Sequence, residues 1–204
     1  QASSSAASDV YKRQASKIES EFNLYNLFLI LPYYQFINGD CEEFFAEVEN
    51  LSLPLGRLNK IEKGNIYIDY AHTPKALESV CKCLFKKKKN KLIIVFGAGG
   101  ERDKGKRALM GEVADKYCEK IYITSDNPRN EDPQQIANMI VDGIKGSDKI
   151  SMELDRARAI KNAINELSEG DILLIAGKGH EKKQIIGDKC SDFSDYEEVK
   201  KCIF

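Results

Sequence analysis

Lys120-Ile121-Tyr122-Ile123-Thr124-Ser125-Asp126-Asn127-Pro128-Arg129 runs from a short apolar stretch into an acid, an amide, a proline and a guanidinium. The apolar part is β-branched or aromatic and is bounded by Cys118-Glu119-Lys120, the pattern of a short buried strand. Pro128 lacks a backbone donor and biases Asn127 away from helical geometry, so the turn after the strand is held open and its side chains project. Asp126 suits an ammonium group, and Arg129 can grip a carboxylate through two parallel hydrogen bonds. One turn carrying both charges fits a zwitterionic amino acid. The plainer alternative is an ordinary turn with a surface ion pair.

The pattern around this stretch is regular. Strands are expected over 65–70, 91–96, 120–124, 149–153 and 171–176, with a hairpin-like strand over 183–187. Helices are expected over 75–85, 106–117, 133–145, 155–167 and 195–202, with Thr73 capping the first and Pro74 opening it. Such alternation defines an α/β fold whose mainly parallel sheet is covered by helices on both faces. Ligands of such sheets collect beyond the carboxyl ends of the strands.

Upstream, the apolar stretch 22–36 reads as a buried helix that Pro32 ends or kinks, and Asn23 and Asn26 share a face near its start, where capping is the simpler alternative. A second helix is expected over 41–50, and Leu53-Pro54-Leu55-Gly56-Arg57 reads as a connector. Residues 1–14 are small, polar and aperiodic; they look like linker or adapter sequence joined to a truncated reading frame, and the natural protein is expected to begin further upstream.

The 204 residues suffice for one good core, or one domain plus part of another. A formal net charge of −1 gives no reason to expect nucleic acid or an anionic membrane as a partner. No run approaches a membrane span, and the amino terminus has no apolar signal core. Six cysteines lack a metal-ligand spacing and read as reduced thiols of a cytoplasmic protein. Lys86–Lys89 closes a helix and reads as a solvated face, although it is the one run that a nucleic-acid reading could use.

Four strand ends gather the chemistry: Asp69-Tyr70-Ala71-His72, then Gly97 to Arg107, then Asp126 to Arg129, then Gly177-Lys178-Gly179-His180-Glu181. The glycines at 97, 99, 100 and 105 let backbone amides approach an anion, with Arg102, Lys104, Lys106 and Arg107 adding positive charge. No Walker A loop, Cys/His cluster or Gly-x-Ser-x-Gly turn occurs. The rim is suited to binding charged groups rather than to supplying a nucleophile. His72 and His180 could equally be polar loop side chains without chemistry.

Asp69-Tyr-Ala-His-Thr-Pro74, Phe96-Gly-Ala-Gly-Gly-Glu-Arg-Asp-Lys-Gly-Lys-Arg107, Asp126-Asn-Pro-Arg129 and Gly177-Lys-Gly-His-Glu181, in this order and spacing, resemble the carboxyl-terminal domain of the diaminopimelate-adding Mur ligases, from about Glu21 to the end of the chain. The resemblance implies a Rossmann-like amino-acid-binding domain over 61–204, preceded over 15–60 by the helical end of a central ATPase domain. It implies an ATP- and Mg2+-dependent acid–amino-acid ligase of the cytoplasm. This enzyme joins meso-diaminopimelate to UDP-MurNAc-L-Ala-D-Glu through an acyl phosphate and acts as a monomer. Arg102, Asp126, Asn127, Pro128, Arg129, Gly177 and Glu181 would contact meso-diaminopimelate, and Asn26, Arg57, Asp69 and His72 would contact ATP. The resemblance places the catalytic residues, the phosphate loop and the magnesium ligands upstream, so these residues alone are not expected to catalyse the reaction. L-Lysine as the added amino acid, or a stand-alone amino-acid-binding module, are the alternatives.

Overall fold

In a computed structural model, residues 21–38, 44, 54–61 and 63–204 are described. The expectations for 1–14 and, apart from Phe44, for a helix over 41–50 lie outside the described residues. The chain divides into two compact units, Gln1–Pro54 and Leu55–Phe204.

In the first unit, helix α1 spans Glu21–Asn38 and continues through Pro32, which neither ends it nor starts a loop. A proline inside a helix forfeits one backbone bond, and the turns on either side carry the helix on. The expected burial is not found: Tyr25, Leu29, Tyr33 and Phe36 are exposed. The stretch is apolar nearly all round, so no single face can take it. Asn23 is buried while Asn26 is exposed, and the two do not share one environment.

The second unit is built on strands β1 Asn59–Lys60, β2 Ile66–Asp69, β3 Leu92–Phe96, β4 Lys120–Ile123, β5 Ile150–Met152 and β6 Ile172–Ala176, in the order β1-β2-β6-β3-β4-β5. Only β1 runs antiparallel; the other neighbours are parallel, with Val95 opposite both Tyr122 and Ile175. Helices α2 Pro74–Phe85, α3 Gly105–Tyr117, α4 Pro133–Val141, α5 Arg156–Asn165 and α6 Asp195–Ile203 complete the layers, and a hairpin of β7 Lys183–Ile186 and β8 Lys189–Asp192 stands apart from the main sheet.

Alternation along the strands sorts the core into two faces. Ile93, Val95, Leu173 and Ile175 pack with Ala159, Ile160 and Ala163 of α5 and Val199 of α6. The alternate residues Leu92, Ile94 and Phe96 are equally buried, as are Leu77, Met110 and Ile140 of α2, α3 and α4. Helix starts follow local chemistry: Thr73 Oγ1 accepts from Ala76 N at 3.3 Å and Asp155 Oδ1 from Arg158 N at 3.1 Å. Helix α4 ends earlier than its apolar pattern implied, at Val141. Strands β1 and β8 are additions to the expected set.

The connections position the site. From β2 the chain passes the place of β6 to reach β3, steps outward to β4 and β5, and returns to insert β6 between β2 and β3. The carboxyl ends of β2, β6, β3 and β4 are therefore neighbours on one rim, where crossovers leave in opposite directions.

Candidate functional site

Asn127 ties three of these loops together. Its Nδ2 donates to Glu181 Oε2 at 2.9 Å, while its Oδ1 accepts from Lys178 Nζ at 3.1 Å and from Ile185 N at 3.0 Å. Its backbone oxygen accepts from Gly100 N at 2.9 Å. The amide oxygen is thus fully used within the protein, while one of the two Nδ2 hydrogens is committed to Glu181. Asn127 therefore arranges the site's other groups and keeps one donor besides. Pro128 is buried beside it, and a Cβ at Gly100 would collide with the Pro128 carbonyl.

The hairpin holds the same turn. Arg129 N donates to Ile185 O at 3.1 Å, Gly187 N donates to Arg129 O at 2.7 Å, and Gln184 Nε2 donates to Asp126 O at 3.0 Å. Arg129 is kept in this way at φ 53°, a left-handed backbone that a non-glycine residue seldom adopts. Its Nη1 donates to Gly100 O at 2.8 Å and to Asn127 O at 3.3 Å. The remaining guanidinium edge has no partner among the described residues.

Asp126 is buried, yet its carboxylate accepts no hydrogen bond and forms no ion pair among the described residues. Gly177, at φ 110°, runs against it. Glu181 Oε2 also accepts from Lys178 Nζ at 3.1 Å, and among the described residues its Oε1 is met only by the Tyr70 hydroxyl at 3.4 Å. Burial pushes the Glu181 carboxyl up, but the Lys178 ammonium, Asn127 and Tyr70 together hold it below the ordinary carboxylate range. Arg102 is exposed beside Gly99, its Nη1 donating to Glu101 O at 3.5 Å. The expected residues Arg102, Asp126, Asn127, Pro128, Arg129, Gly177 and Glu181 therefore fall on one rim.

A second cluster surrounds Tyr70. Asp69 Oδ2 accepts from Leu58 N and its Oδ1 from Ala71 N, both at 2.7 Å. Its carboxyl is raised because burial outweighs those amides and Arg57. Asp69 thus ties the loop before β1 to the loop after β2. The Tyr70 ring lies 4.6 Å from His72 and 5.2 Å from His180, with the Arg57 guanidinium 5.8 Å away. His72 and Arg57 are exposed, and His72 O accepts from Lys106 Nζ at 2.9 Å. Asn26 belongs to the other compact unit.

One cation expected to face an anion does not, and a second is only loosely paired. Arg107 is fully buried and lies bidentate on Glu131 at 2.9 and 3.0 Å; Lys104 also pairs with Glu131, at 3.6 Å. A guanidinium in the first turn of α3 is better satisfied by a fixed carboxylate than by an intermittent ligand. Conversely, Lys178, Tyr70 and Gln184 take part in the site although no local pattern assigns them a role.

An α/β rim of this kind, with charged side chains from several loops converging beyond parallel strands, defines a small-molecule-binding module. The chain belongs to the Mur ligase family: the profile described as "Mur ligase, glutamate ligase domain" matches residues 56–179. It is 47% identical over 183 residues to the UDP-N-acetylmuramoyl-L-alanyl-D-glutamate–2,6-diaminopimelate ligase of Rickettsia rickettsii, covering 89% of this chain and 37% of that protein. A solved structure of a ligase of the same name superposes with a TM-score of 0.71 at 39% identity, covering 90% of this chain and 38% of that one. Folylpolyglutamate synthase of Mycobacterium tuberculosis, solved with ADP and AMPPCP, shares the fold at a TM-score of 0.64 and 19% identity, over 78% of this chain and 38% of its own. The chain spans little more than a third of the length of the relatives it matches.

Proposed function

We propose that this chain is the amino-acid-binding part of an ATP-dependent ligase that adds meso-diaminopimelate to UDP-MurNAc-L-Ala-D-Glu in peptidoglycan synthesis. The observation that carries the reading is the Asn127-centred network. It sets the Glu181 carboxylate beside a turn bearing the unpartnered Asp126 carboxylate and the half-free Arg129 guanidinium. The similarity to diaminopimelate ligases supports the same substrate.

The chemistry assigns the ends of the ligand. ATP phosphorylates the terminal carboxylate of the nucleotide-linked dipeptide; a neutral amino group attacks the acyl phosphate, forming the amide and releasing phosphate. An ammonium held by carboxylates cannot attack. Asp126 and Glu181 therefore hold the ammonium of the non-reacting end, Arg129 takes the carboxylate beside it, and the other amino group is left free. Arg102 would approach the same ligand from the β3 loop, and Gly177 would give it room.

In this reading the second unit, Leu55–Phe204, which includes β1, forms the amino-acid domain, against the boundary at 61 expected from the sequence, and the residues before it form the end of the central ATP-binding domain. Arg57 and His72, both exposed, would meet the nucleotide, with Asp69 shaping their loops. Mg2+ would accompany ATP in this reading; among the described residues no group of three or more His, Cys, Asp and Glu could hold a metal ion. No helix among the described residues is long and apolar enough to cross a membrane. A cytoplasmic monomer acting on small molecules, without nucleic acid, completes the proposal.

Calorimetric titration of the full-length gene product with a non-hydrolysable ATP analogue tests the reading. Binding of meso-diaminopimelate in preference to L-lysine, lost in Arg129→Ala, is expected. Preference for L-lysine would overturn the substrate assignment.

A further inference from the structure

We propose that Lys178 is a positioning residue for amino-acid binding: its ammonium group locks Glu181 and Asn127 into one frame and turns the open side of the Glu181 carboxylate toward the ligand. The proposal rests on the reading of the site given above.

Lys178 is 0% exposed, a place lysine occupies only when fully paired. Its Nζ donates to Asn127 Oδ1 at 3.1 Å, to Glu181 Oε2 at 3.1 Å and to Lys183 O at 2.7 Å. These acceptors come from the β4 turn, the β6 turn and the hairpin, and they use all three donors of the ammonium. Lys178 consequently has no proton left for a ligand and acts through what it holds. The frame extends to the arginine: Asn127 Oδ1 also accepts from Ile185 N, and Ile185 O accepts from Arg129 N. One buried charge thus relates the acid that meets an ammonium to the turn that meets a carboxylate.

The arrangement also decides the charge of Glu181. The groups facing it are Lys178 on its own turn, Tyr70 after β2, Asn127 after β4 and, further off, Arg156 of α5; Asp126 and His180 flank the same space. Lys178 bonds it directly and is the cation nearest to it. Without that cation, burial would favour the protonated carboxyl, which holds an ammonium poorly.

Lys178→Met and Lys178→Gln in the full-length gene product test this, by ligation of meso-diaminopimelate across the acid range. The expected result is a KM for the amino acid raised about tenfold or more. The KM for ATP and kcat at saturating amino acid should stay within about twofold. The acid limb of kcat/KM should move to higher pH, because Glu181 then protonates sooner. An unchanged amino-acid KM, an unmoved acid limb, or a KM for ATP rising in step would overturn the proposal. If neither variant folds, a carbon-13 NMR titration of the Glu181 carboxyl in the unsubstituted protein decides: titration below the ordinary range supports the proposal, and titration above it overturns it. If the unsubstituted enzyme ligates no diamino acid, the reading of the site falls, and this inference with it; if it does and the variants match it, the inference alone falls.

Discussion

A Cβ atom at Gly177 would lie 2.7 Å from Oδ2 of Asp126. That is closer than a methyl group and a carboxylate oxygen can stand, and φ at this position is 110°, a region closed to L side chains. Gly177→Ala must therefore distort the β6 turn, displace Asp126, or both. The backbone term alone is about 1–3 kcal/mol, seen as a lowered Tm. The diagnostic result is a loss of amino-acid affinity beyond that of a substitution of similar stability cost elsewhere. An affinity equal to the unsubstituted protein's would mean that Asp126 does not meet the ligand.

Under the proposed function, Arg129 would separate diamino-dicarboxylic acids from diamino-monocarboxylic ones. Its Nη1 is bound to backbone carbonyls, which leaves the remaining edge available for the ligand carboxylate of the proposed function. Hydrogen bonds to charged groups are worth about 1.5–3 kcal/mol. Arg129→Ala should weaken meso-diaminopimelate binding by about 10- to 150-fold and L-lysine binding hardly at all. Competition calorimetry with both amino acids checks it; an equal loss for both would assign Arg129 to holding the turn.

How much of this was legible depended on whether the determining interaction was local. The run Ile121-Tyr122-Ile123 and the caps Thr73 and Asp155 act within a few residues, and the strands and helices they imply are where the pattern placed them. Strand β8, Lys-Cys-Ser-Asp, is exposed throughout and carries no apolar alternation, so it is recognisable only by its pairing with β7. Arg107 counts as one more cation near a glycine-rich turn until Glu131, 24 residues away, is seen to take it. The motif Asp126-Asn-Pro-Arg129 was visible as chemistry, but the inward turn of Asn127 was not. That turn follows from acceptors and donors at 178, 181 and 185, which no local spacing connects to it.

Glu131 predicts part of the acid response. The bidentate Arg107 and the Glu101 amide hold its carboxyl at about 2, against an ordinary value of 4.5. A carboxyl depressed in the folded state contributes stability that is complete above the unfolded value and is lost as pH falls through the folded one. The contribution is thus present above 4.5 and fades toward 2. Tm measured against pH should fall through that window, and Glu131→Gln should lower Tm at neutral pH while flattening this part of the curve. Parallel curves for the two proteins would show that the pair is not linked to folding.

Arg156 and Asp195 set the largest expected stability effect. Arg156 Nε and Nη2 donate to Asp195 at 2.7 and 2.8 Å, both residues are within 1% of complete burial, and Nη2 also donates to Ala176 O at 2.9 Å. The pair joins the first turns of α5 and α6 to the end of β6, one residue before Gly177. Burial works against the Arg156 cation, and Asp195, with Asp126 and Glu181 further off, outweighs it. Asp195→Ala would strand a guanidinium that water cannot reach, at a cost of about 3–5 kcal/mol. Replacing both partners, Arg156→Met with Asp195→Leu, removes the charge together with its counterion and should cost much less. Urea unfolding of the single and double variants measures the difference. If the double variant were as unstable as the single, the pair's contribution would lie in the Ala176 bond and not in the matching of charges.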